Sequence, residues 1–237
     1  MGLLTDSESQ QVRGMLEPMV RDVHLRLYTR KLECPSCPQT EMIVRELDGL
    51  SDRIRVECLN PLTDVERAAE DRVEEVPAII VSDGTHDRVR FYGTPSGYEF
   101  TSFLTAILDT GSEGPLLEQA TLDFLGQRLD RDLDLKVFVT TSCPHCPRAV
   151  VLAHRLAMSS PRVRSSAWEA GEFTAVASRH MVHGVPRTVV NDTLFVEGAL
   201  PEGQLVQALE RALSTGDTVG RNDLLVYLHD DWNGEAK

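Results

Sequence analysis

The sequence has no long apolar run and no cluster of basic residues. No stretch approaches the roughly 18 apolar residues that a membrane helix needs. Residues 1–11 are polar and lack the basic and then apolar segments of a secretion signal. The formal charge of −13 repels the phosphates of nucleic acids and of anionic lipids. We therefore expect a cytoplasmic protein that binds neither nucleic acid nor a membrane.

Cysteine is also scarce, with 5 among 237 residues. Four of the five form two Cys-x-x-Cys motifs, Cys34-Pro35-Ser36-Cys37 and Cys143-Pro144-His145-Cys146. Small secreted domains scatter their cysteines instead, so paired cysteines indicate redox catalysis or metal binding. The fifth, Cys58, lies among apolar residues of a predicted strand, and we expect it to be an inert core cysteine.

The two motifs belong to a repeat that covers most of the chain. Each first cysteine precedes a Val-Pro pair by the same 43 residues, at Val76-Pro77 and at Val185-Pro186. Alternating apolar and polar residues predict a strand before each motif, and apolar residues at helical spacing predict a helix after it. The full order predicted for each unit is helix, β, α, β, α, β, β, α. We therefore expect an α/β fold made of two tandem units.

The unit boundaries follow from the Gly- and Pro-containing segment at residues 111–115, which is typical of a joint. Residues 1–113 then form an N-terminal unit with the first motif, and residues 114–215 form a C-terminal unit with the second. Residues 216–237 remain as a C-terminal tail, which we expect to dock on its own domain.

The element order, with a dithiol at the first strand-to-helix turn and a proline before the third strand, resembles the thioredoxin fold. Two such units in one chain resemble the protein disulfide oxidoreductases of thermophiles, also called glutaredoxin-like proteins. The resemblance is most specific at residues 143–150, where a proline follows both cysteines. It implies two tandem thioredoxin-like units whose sheets can join into one continuous sheet.

The resemblance also implies roles for the Val-Pro pairs. Pro77 and Pro186 would be cis-prolines facing the dithiols, and together with Val76 and Val185 they would bind substrate. Thioredoxins carry a buried aspartate six residues before the first cysteine. By residue counting, Tyr28 and Val137 occupy that position here, so the proton acceptor of the second cysteine is left unassigned.

The chemistry of a dithiol assigns a role to each motif residue. Cys34 and Cys143 are predicted nucleophiles, because helix starts favour a thiolate, and Cys37 and Cys146 would resolve the mixed disulfide. Pro35 and Pro144 should fall in the first helical turn and stiffen the dithiol. Ser36 and His145 should modulate the couple, and a partly cationic His145 would make the second site the stronger oxidant.

The expected function is that of a protein thiol–disulfide oxidoreductase with no bound cofactor. The tandem units also resemble the N-terminal part of flavin-dependent alkyl hydroperoxide reductases. An alternative is therefore an electron relay between a separate flavin reductase and a peroxiredoxin, since the sequence has no G-x-G-x-x-G fingerprint. The family likeness implies a thioredoxin-reductase-type donor and a peroxiredoxin as acceptor.

Two interpretations of another class stay open. The chain could be a non-catalytic thioredoxin-like binding protein. Alternatively, its four motif cysteines could bind one zinc ion, or Cys143 could bind a metal together with His180 or His183.

Overall fold

Each half of the chain repeats the order of elements that the sequence predicts. The structure is a computed structural model that describes residues 3–114 and 116–214. Its strands are β1 Val23–Tyr28, β2 Ile54–Leu59, β3 Ala78–Ser82, β4 Val89–Tyr92, β5 Leu133–Val139, β6 Val163–Glu169, β7 Arg187–Val190 and β8 Leu194–Glu197. Its helices are α1 Asp6–Leu16, α2 Cys37–Asp48, α3 Val65–Glu70, α4 Glu99–Gly111, α5 Gln119–Asp123, α6 Cys146–Ser159, α7 Thr174–Arg179 and α8 Glu202–Ser214. A π-helical turn, Phe124–Arg128, continues α5.

Of the predicted joint, residues 112–114 follow the end of α4. The prediction about the tail, residues 216–237, falls outside the described residues.

All eight strands form one sheet, in the order β2-β1-β3-β4-β6-β5-β7-β8. The two predicted sheets therefore join, as expected, and they do so through parallel pairing of β4 with β6. The order within the second unit repeats that of the first, so the units lie side by side in the same orientation. Both dithiols consequently lie at the same end of the sheet, where β1 and β5 finish.

The sheet carries a core on each face, because side chains alternate between the two faces of a strand. The larger core packs α2, α4 and α6 against strand residues such as Leu25 and Val137. The smaller core lies under α3 and α7 and contains both cysteines of the first motif. In it Tyr92 of β4 stacks on Trp168 of β6, with ring centroids 3.8 Å apart, so aromatic packing crosses the interface between the two units.

Charged residues lie buried on the second face of the sheet, where simple alternation predicts solvent-facing side chains. Arg26 and Lys136 are both buried, because α3, α7 and the neighbouring loops cover this face. Arg26 donates to Asp71 over 2.8 Å, and the ammonium of Lys136 lies 3.0 Å from a carboxylate oxygen of Asp192. The ammonium of Lys136 also lies 3.4 Å from the carboxylate of Glu74 in the other unit, so an ion cluster crosses the interface between the two units.

The prediction that Cys58 is a core cysteine is wrong, because Cys58 is exposed. It lies in β2, a strand at one edge of the sheet. Its sulfur lies 3.3 Å from Nη2 of Arg45. Partial burial nevertheless raises the pKa of the Cys58 thiol above its usual value, which keeps it a weak nucleophile at neutral pH.

Candidate active sites

Each dithiol lies in the turn between the first strand of its unit and the following helix. Cys34 is disulfide-bonded to Cys37 and Cys143 to Cys146, with Cα atoms 5.4 and 5.5 Å apart. The first cysteines, Cys34 and Cys143, are 8% exposed, whereas Cys37 is 2% and Cys146 0% exposed. The first sulfur of each pair is therefore the one that an incoming disulfide can reach.

The helices that follow the dithiols begin at the second cysteine of each motif. α2 begins at Cys37 and α6 at Cys146. Pro35 and Pro144 therefore lie in the turn before the helix, and the prediction that they occupy the first helical turn is wrong. Pro38 and Pro147 hold that place, where a missing N–H costs little.

Main-chain N–H groups near the helix starts lie against the sulfurs. The amide of Cys146 lies 3.2 Å from the sulfur of Cys143. In the first unit, the amide of Arg30 lies 3.4 Å from the sulfur of Cys37. Such dipoles favour negative charge, so they would stabilise a thiolate after reduction of the disulfide.

The two Val-Pro pairs lie beside the dithiols. The Val76–Pro77 and Val185–Pro186 peptide bonds are both cis, in agreement with what the resemblance implies. The carbonyl oxygen of Val185 lies 3.8 Å from the sulfur of Cys143, and Val76 lines the same cleft as Cys34. The structure thus brings these predicted substrate-binding residues to the dithiols, and their role in binding stays a prediction.

The charges around the two dithiols differ. Glu33 and Glu75 line the cleft beside Cys34, together with Arg30. Around the second dithiol, the exposed residues His145 and Arg148 flank Cys146 in the sequence. The first site therefore has more acidic surroundings than the second.

Counting six residues back from the first cysteine gives Tyr28 in one unit and Val137 in the other. These two positions are not structurally equivalent, because the count is off by one residue in the second unit. Tyr28 pairs with Ala78 across the sheet, and Phe138 pairs with Arg187 at the corresponding place in the second unit. Phe138 is therefore the structural counterpart of Tyr28, because the turn between strand and cysteine is one residue shorter in the second unit.

A buried carboxylate does accompany Tyr28, but it comes from the end of α3. The Tyr28 hydroxyl donates to Asp71 over 2.6 Å, and Arg26 donates to the same carboxylate. Burial and this hydrogen bond raise the pKa of Tyr28 well above its usual value. Tyr28 therefore stays neutral, and Asp71 is held in an ion pair.

Glu99 is a candidate functional residue that the sequence reasoning missed. It is the first residue of α4 and only 3% exposed. Its Oε2 accepts a 2.6 Å hydrogen bond from Ser102, and its Oε1 is buried with no hydrogen-bond partner among the described residues. Burial, aided by the charge of Glu169, raises the pKa of Glu99 to about 7. A carboxyl with such a pKa can gain and lose a proton near neutral pH.

The start of α4 is docked against the second dithiol's loop. The amide of Tyr98 donates to the carbonyl of Thr141 over 2.9 Å, two residues before Cys143. Glu99, the next residue after Tyr98, therefore belongs to the helix whose start contacts the second dithiol's loop from the first unit. Its position four residues before Phe103 on the apolar face of α4 was the available sequence signal.

Among residues 3–114 and 116–214, no three His, Cys, Asp or Glu side chains are grouped as metal ligands would be. His180, considered above as a ligand, lies 3.6 Å from the carboxylate of Asp192, and its ring packs on Phe138. In the same described part of the chain, no helix is long and apolar enough to cross a membrane.

Comparisons with known proteins agree with this geometry. Residues 133–211 match the family model "Thioredoxin domain". The chain is 26% identical over 208 residues to the F subunit of alkyl hydroperoxide reductase of Escherichia coli (strain K12), and the match covers 88% of the chain but 38% of that protein. The chain thus spans less than two fifths of the length of this curated relative.

Two solved structures share the whole double unit. A protein disulfide oxidoreductase from Aeropyrum pernix K1 superposes with a TM-score of 0.82 and 26% identity, covering 89% of this chain and 94% of that one. The F subunit of alkylhydroperoxide reductase of Enterococcus faecalis (V583) superposes with a TM-score of 0.79 and 22% identity, covering 87% and 99%. The second likeness is one of fold. The chain is thus a thioredoxin-fold protein of two tandem units, each with a Cys-x-x-Cys disulfide.

Proposed function

We propose that this thioredoxin-fold chain is a protein thiol–disulfide oxidoreductase that exchanges electrons with protein disulfides through both dithiols. One observation carries the proposal. In each unit a surface-reaching cysteine, Cys34 or Cys143, is disulfide-bonded to a buried cysteine at a helix start, beside a cis-proline. The similarity to the Aeropyrum pernix protein disulfide oxidoreductase supports it.

The exchange proceeds in two steps at either site. With the dithiol reduced, the thiolate of Cys34 or Cys143 attacks one sulfur of a substrate disulfide and expels the other substrate sulfur as a thiolate. The thiolate of Cys37 or Cys146 then attacks the mixed disulfide, closes the intrachain disulfide and releases the second substrate thiol. Two electrons pass to the substrate, and the reverse sequence oxidises a substrate dithiol. The disulfides themselves are the redox groups, so the proposal needs no bound cofactor.

Proton transfer at the second site is assigned to Glu99. The second cysteine, Cys146, is fully buried, so its proton needs a nearby acceptor when it attacks. Glu99 is buried on the helix whose start is hydrogen-bonded to Thr141, and its pKa of about 7 suits both uptake and release. The carboxylate accepts the Cys146 proton during attack and returns it during reduction.

The electron donor and acceptor belong to the proposal as well. The similarity to the F subunit of alkyl hydroperoxide reductase supports a relay in which a separate thioredoxin-reductase-type enzyme reduces the chain and a peroxiredoxin oxidises it. A cytoplasmic location is proposed with it, supported by the pairing of four cysteines in two redox motifs. The charge of −13 argues against nucleic acid as a partner.

Reduction of insulin disulfides by dithiothreitol tests the function. The wild-type chain should accelerate it, and a Cys34→Ser/Cys143→Ser variant should lose the acceleration. Cys58→Ser, which removes the exposed thiol outside the motifs, is the control and should keep it. Equal rates with and without the wild-type chain would instead favour the non-catalytic binding protein.

The relay is tested separately. A purified thioredoxin reductase with NADPH should reduce both dithiols, and a peroxiredoxin disulfide should reoxidise them. Insulin reduction without transfer to a peroxiredoxin would retain the oxidoreductase and remove this partner.

A further inference from the structure

The cleft beside Cys34 is built from both units. It has a volume of about 430 Å³. One wall carries Cys34 and Val76 with the acidic residues Glu33 and Glu75, all from the first unit. The opposite wall is residues 172–176 of the second unit, at the start of α7. The reacting sulfur of the first dithiol therefore faces a surface that its own unit does not supply.

The wall formed by residues 172–176 is held in place by contacts across the interface between the two units. The carboxylate of Glu172 accepts a 2.7 Å hydrogen bond from the amide of Thr94. Gly93 has a φ of +99°, and a Cβ there would lie 2.7 Å from the Cβ of Glu169. Only glycine allows the end of β4 to approach this closely. The wall is thus part of the packed fold, and the cleft is preformed.

The sheet order explains why the two sites differ. Because the units repeat side by side, β6 and α7 lie next to the first unit's last strand, β4. The corresponding place in the second unit is beside β8, which is the sheet edge within residues 3–114 and 116–214. In this described part of the chain, no further unit provides an opposite wall for Cys143.

The lining of the cleft combines apolar surface with negative charge. Phe173 and Val176 are apolar residues of the second wall. Three carboxylates, on Glu33, Glu75 and Glu172, outnumber the one guanidinium, on Arg30. A bound segment with positive charge and an apolar side chain would complement this lining.

We propose that this cleft binds extended polypeptide segments in which basic residues flank the disulfide cysteine, so that Cys34 selects its substrates by sequence. The inference rests on the proposed function and specifies the substrate class of the first site. The second site, which lacks this wall in the described residues, discriminates less between peptides.

Noncovalent binding tests the cleft without any redox step. Two fluorescein-labelled linear peptides carry serine in place of the cysteine, one with flanking arginines and one with flanking glutamates. Fluorescence anisotropy with the oxidised full chain should show binding of the arginine peptide about fivefold tighter, since each exposed ion pair contributes little. Ala175→Arg adds bulk and positive charge at an exposed position of the second wall, and it should abolish this preference.

Ala69→Arg is the matched control, because Ala69 is an exposed alanine of α3, the counterpart of α7 in the first unit. It should leave the preference intact. Equal binding of the two peptides to the wild type, or the same preference in Ala175→Arg, would overturn the inference.

Kinetics separates this inference from the proposed function. In a Cys58→Ser background, variants that retain only one dithiol are compared with a disulfide of the arginine peptide and with hydroxyethyl disulfide. The ratio compared is the rate with the arginine-peptide disulfide divided by the rate with hydroxyethyl disulfide. For the Cys34 site, Ala175→Arg should lower this ratio about fivefold, and Ala69→Arg should not. For the Cys143 site, neither substitution should change the ratio.

Exchange with hydroxyethyl disulfide but no effect of Ala175→Arg on the ratio would remove the cleft and keep the oxidoreductase. Absence of exchange with either disulfide at both sites would remove the oxidoreductase and, with it, the substrate class inferred here.

Discussion

The amide of Tyr98, in the first unit, donates a 2.9 Å hydrogen bond to the carbonyl oxygen of Thr141, in the second unit. Thr141 lies two residues before Cys143, and Tyr98 lies immediately before Glu99. One main-chain contact therefore joins the start of α4 to the loop of the second dithiol. Together with the β4–β6 pairing, it ties the position of the second dithiol's loop to the first unit.

Gly97→Ala should disturb this contact. Gly97 has a φ of +58°, and a Cβ there would collide with the carbonyl oxygen of Thr141, which belongs to the backbone and cannot rotate away. We expect a loss of about 2–3 kcal/mol in the free energy of unfolding, from left-handed strain and from the collision. Urea unfolding with both disulfides intact measures it.

Gly198→Ala is the matched control, because its φ is +81° but no atom lies within 4 Å of the added Cβ. It should cost about 1 kcal/mol from conformation alone. Equal losses in the two variants would show that the contact of Gly97 with Thr141 does not constrain the fold.

Glu99→Gln should slow the second site more than the first. The amide cannot accept a proton from Cys146, so we expect about a tenfold lower exchange rate at the second dithiol. The wild-type rate of this site should change with an apparent pKa near 7, the value raised by burial of Glu99, and the variant should lack this step. Stopped-flow kinetics on variants that retain one dithiol, from about pH 5.5 to 8.5, provides the measurement.

The same substitution has a stability signature with a defined sign. Because the pKa of Glu99 is raised in the folded state, its stabilising effect is complete below about pH 4.5 and is lost as the pH rises towards 7. The free energy of unfolding of Glu99→Gln should therefore rise by about 3 kcal/mol relative to that of wild type between pH 4.5 and pH 8. Glu57→Gln, at an exposed strand position, should show no such change. A flat difference for Glu99→Gln would mean that folding does not raise the pKa of Glu99.

The features of the two dithiol sites that depend only on residues close together in the chain were predictable from the sequence. The dithiols, the Val-Pro pairs and the strand before each dithiol depend on short motifs and on side-chain alternation. The shared sheet was also expected, from the resemblance. These features are repeated in both halves, so each copy supports the other.

The groups brought together by tertiary contacts were not predictable. Asp71 reaches Tyr28 from a different element, and the start of α4 reaches the loop of the second dithiol from the other unit, so no spacing rule connects them. Arg26 and Lys136 occupy polar positions of alternating strands, yet helices and loops cover them. The one-residue difference between the two strand-to-cysteine turns likewise appears only in the pairing register.

The two dithiols should differ in reduction potential. Glu33 and Glu75 beside Cys34 disfavour the thiolate there, whereas His145 and Arg148 near Cys143 favour it. We expect the Cys143–Cys146 couple to be the stronger oxidant by roughly 30 mV, a tenfold difference in equilibrium. Equilibration of Cys34→Ser/Cys37→Ser and Cys143→Ser/Cys146→Ser variants with glutathione buffers measures both potentials.

Substitutions at Ser36 and His145, the residues before the second cysteine of each motif, provide the control for this prediction. Ser36→His should raise the potential of the first site, and His145→Ser should lower that of the second. A second site that is equally or more reducing than the first would contradict the charge argument.

His154 should make the fold sensitive to acid. It is fully buried in α6, its Nδ1 lies 2.8 Å from the hydroxyl of Ser165, and its Nε2 has no partner among the described residues. Burial lowers the pKa of His154 to about 3, so the folded chain holds it neutral. The contribution of neutral His154 to stability is therefore complete above about pH 6.5 and is lost as the pH falls towards 3, because only the unfolded chain takes up the proton.

His154→Asn keeps a polar atom near Ser165 but does not titrate in this range. Between pH 7.5 and pH 4.5 the wild type should lose about 2 kcal/mol more than the variant, measured by urea unfolding of the oxidised protein. His24→Asn, at an exposed position, should follow the wild type. Parallel losses in wild type and His154→Asn would show that folding does not lower the pKa of His154.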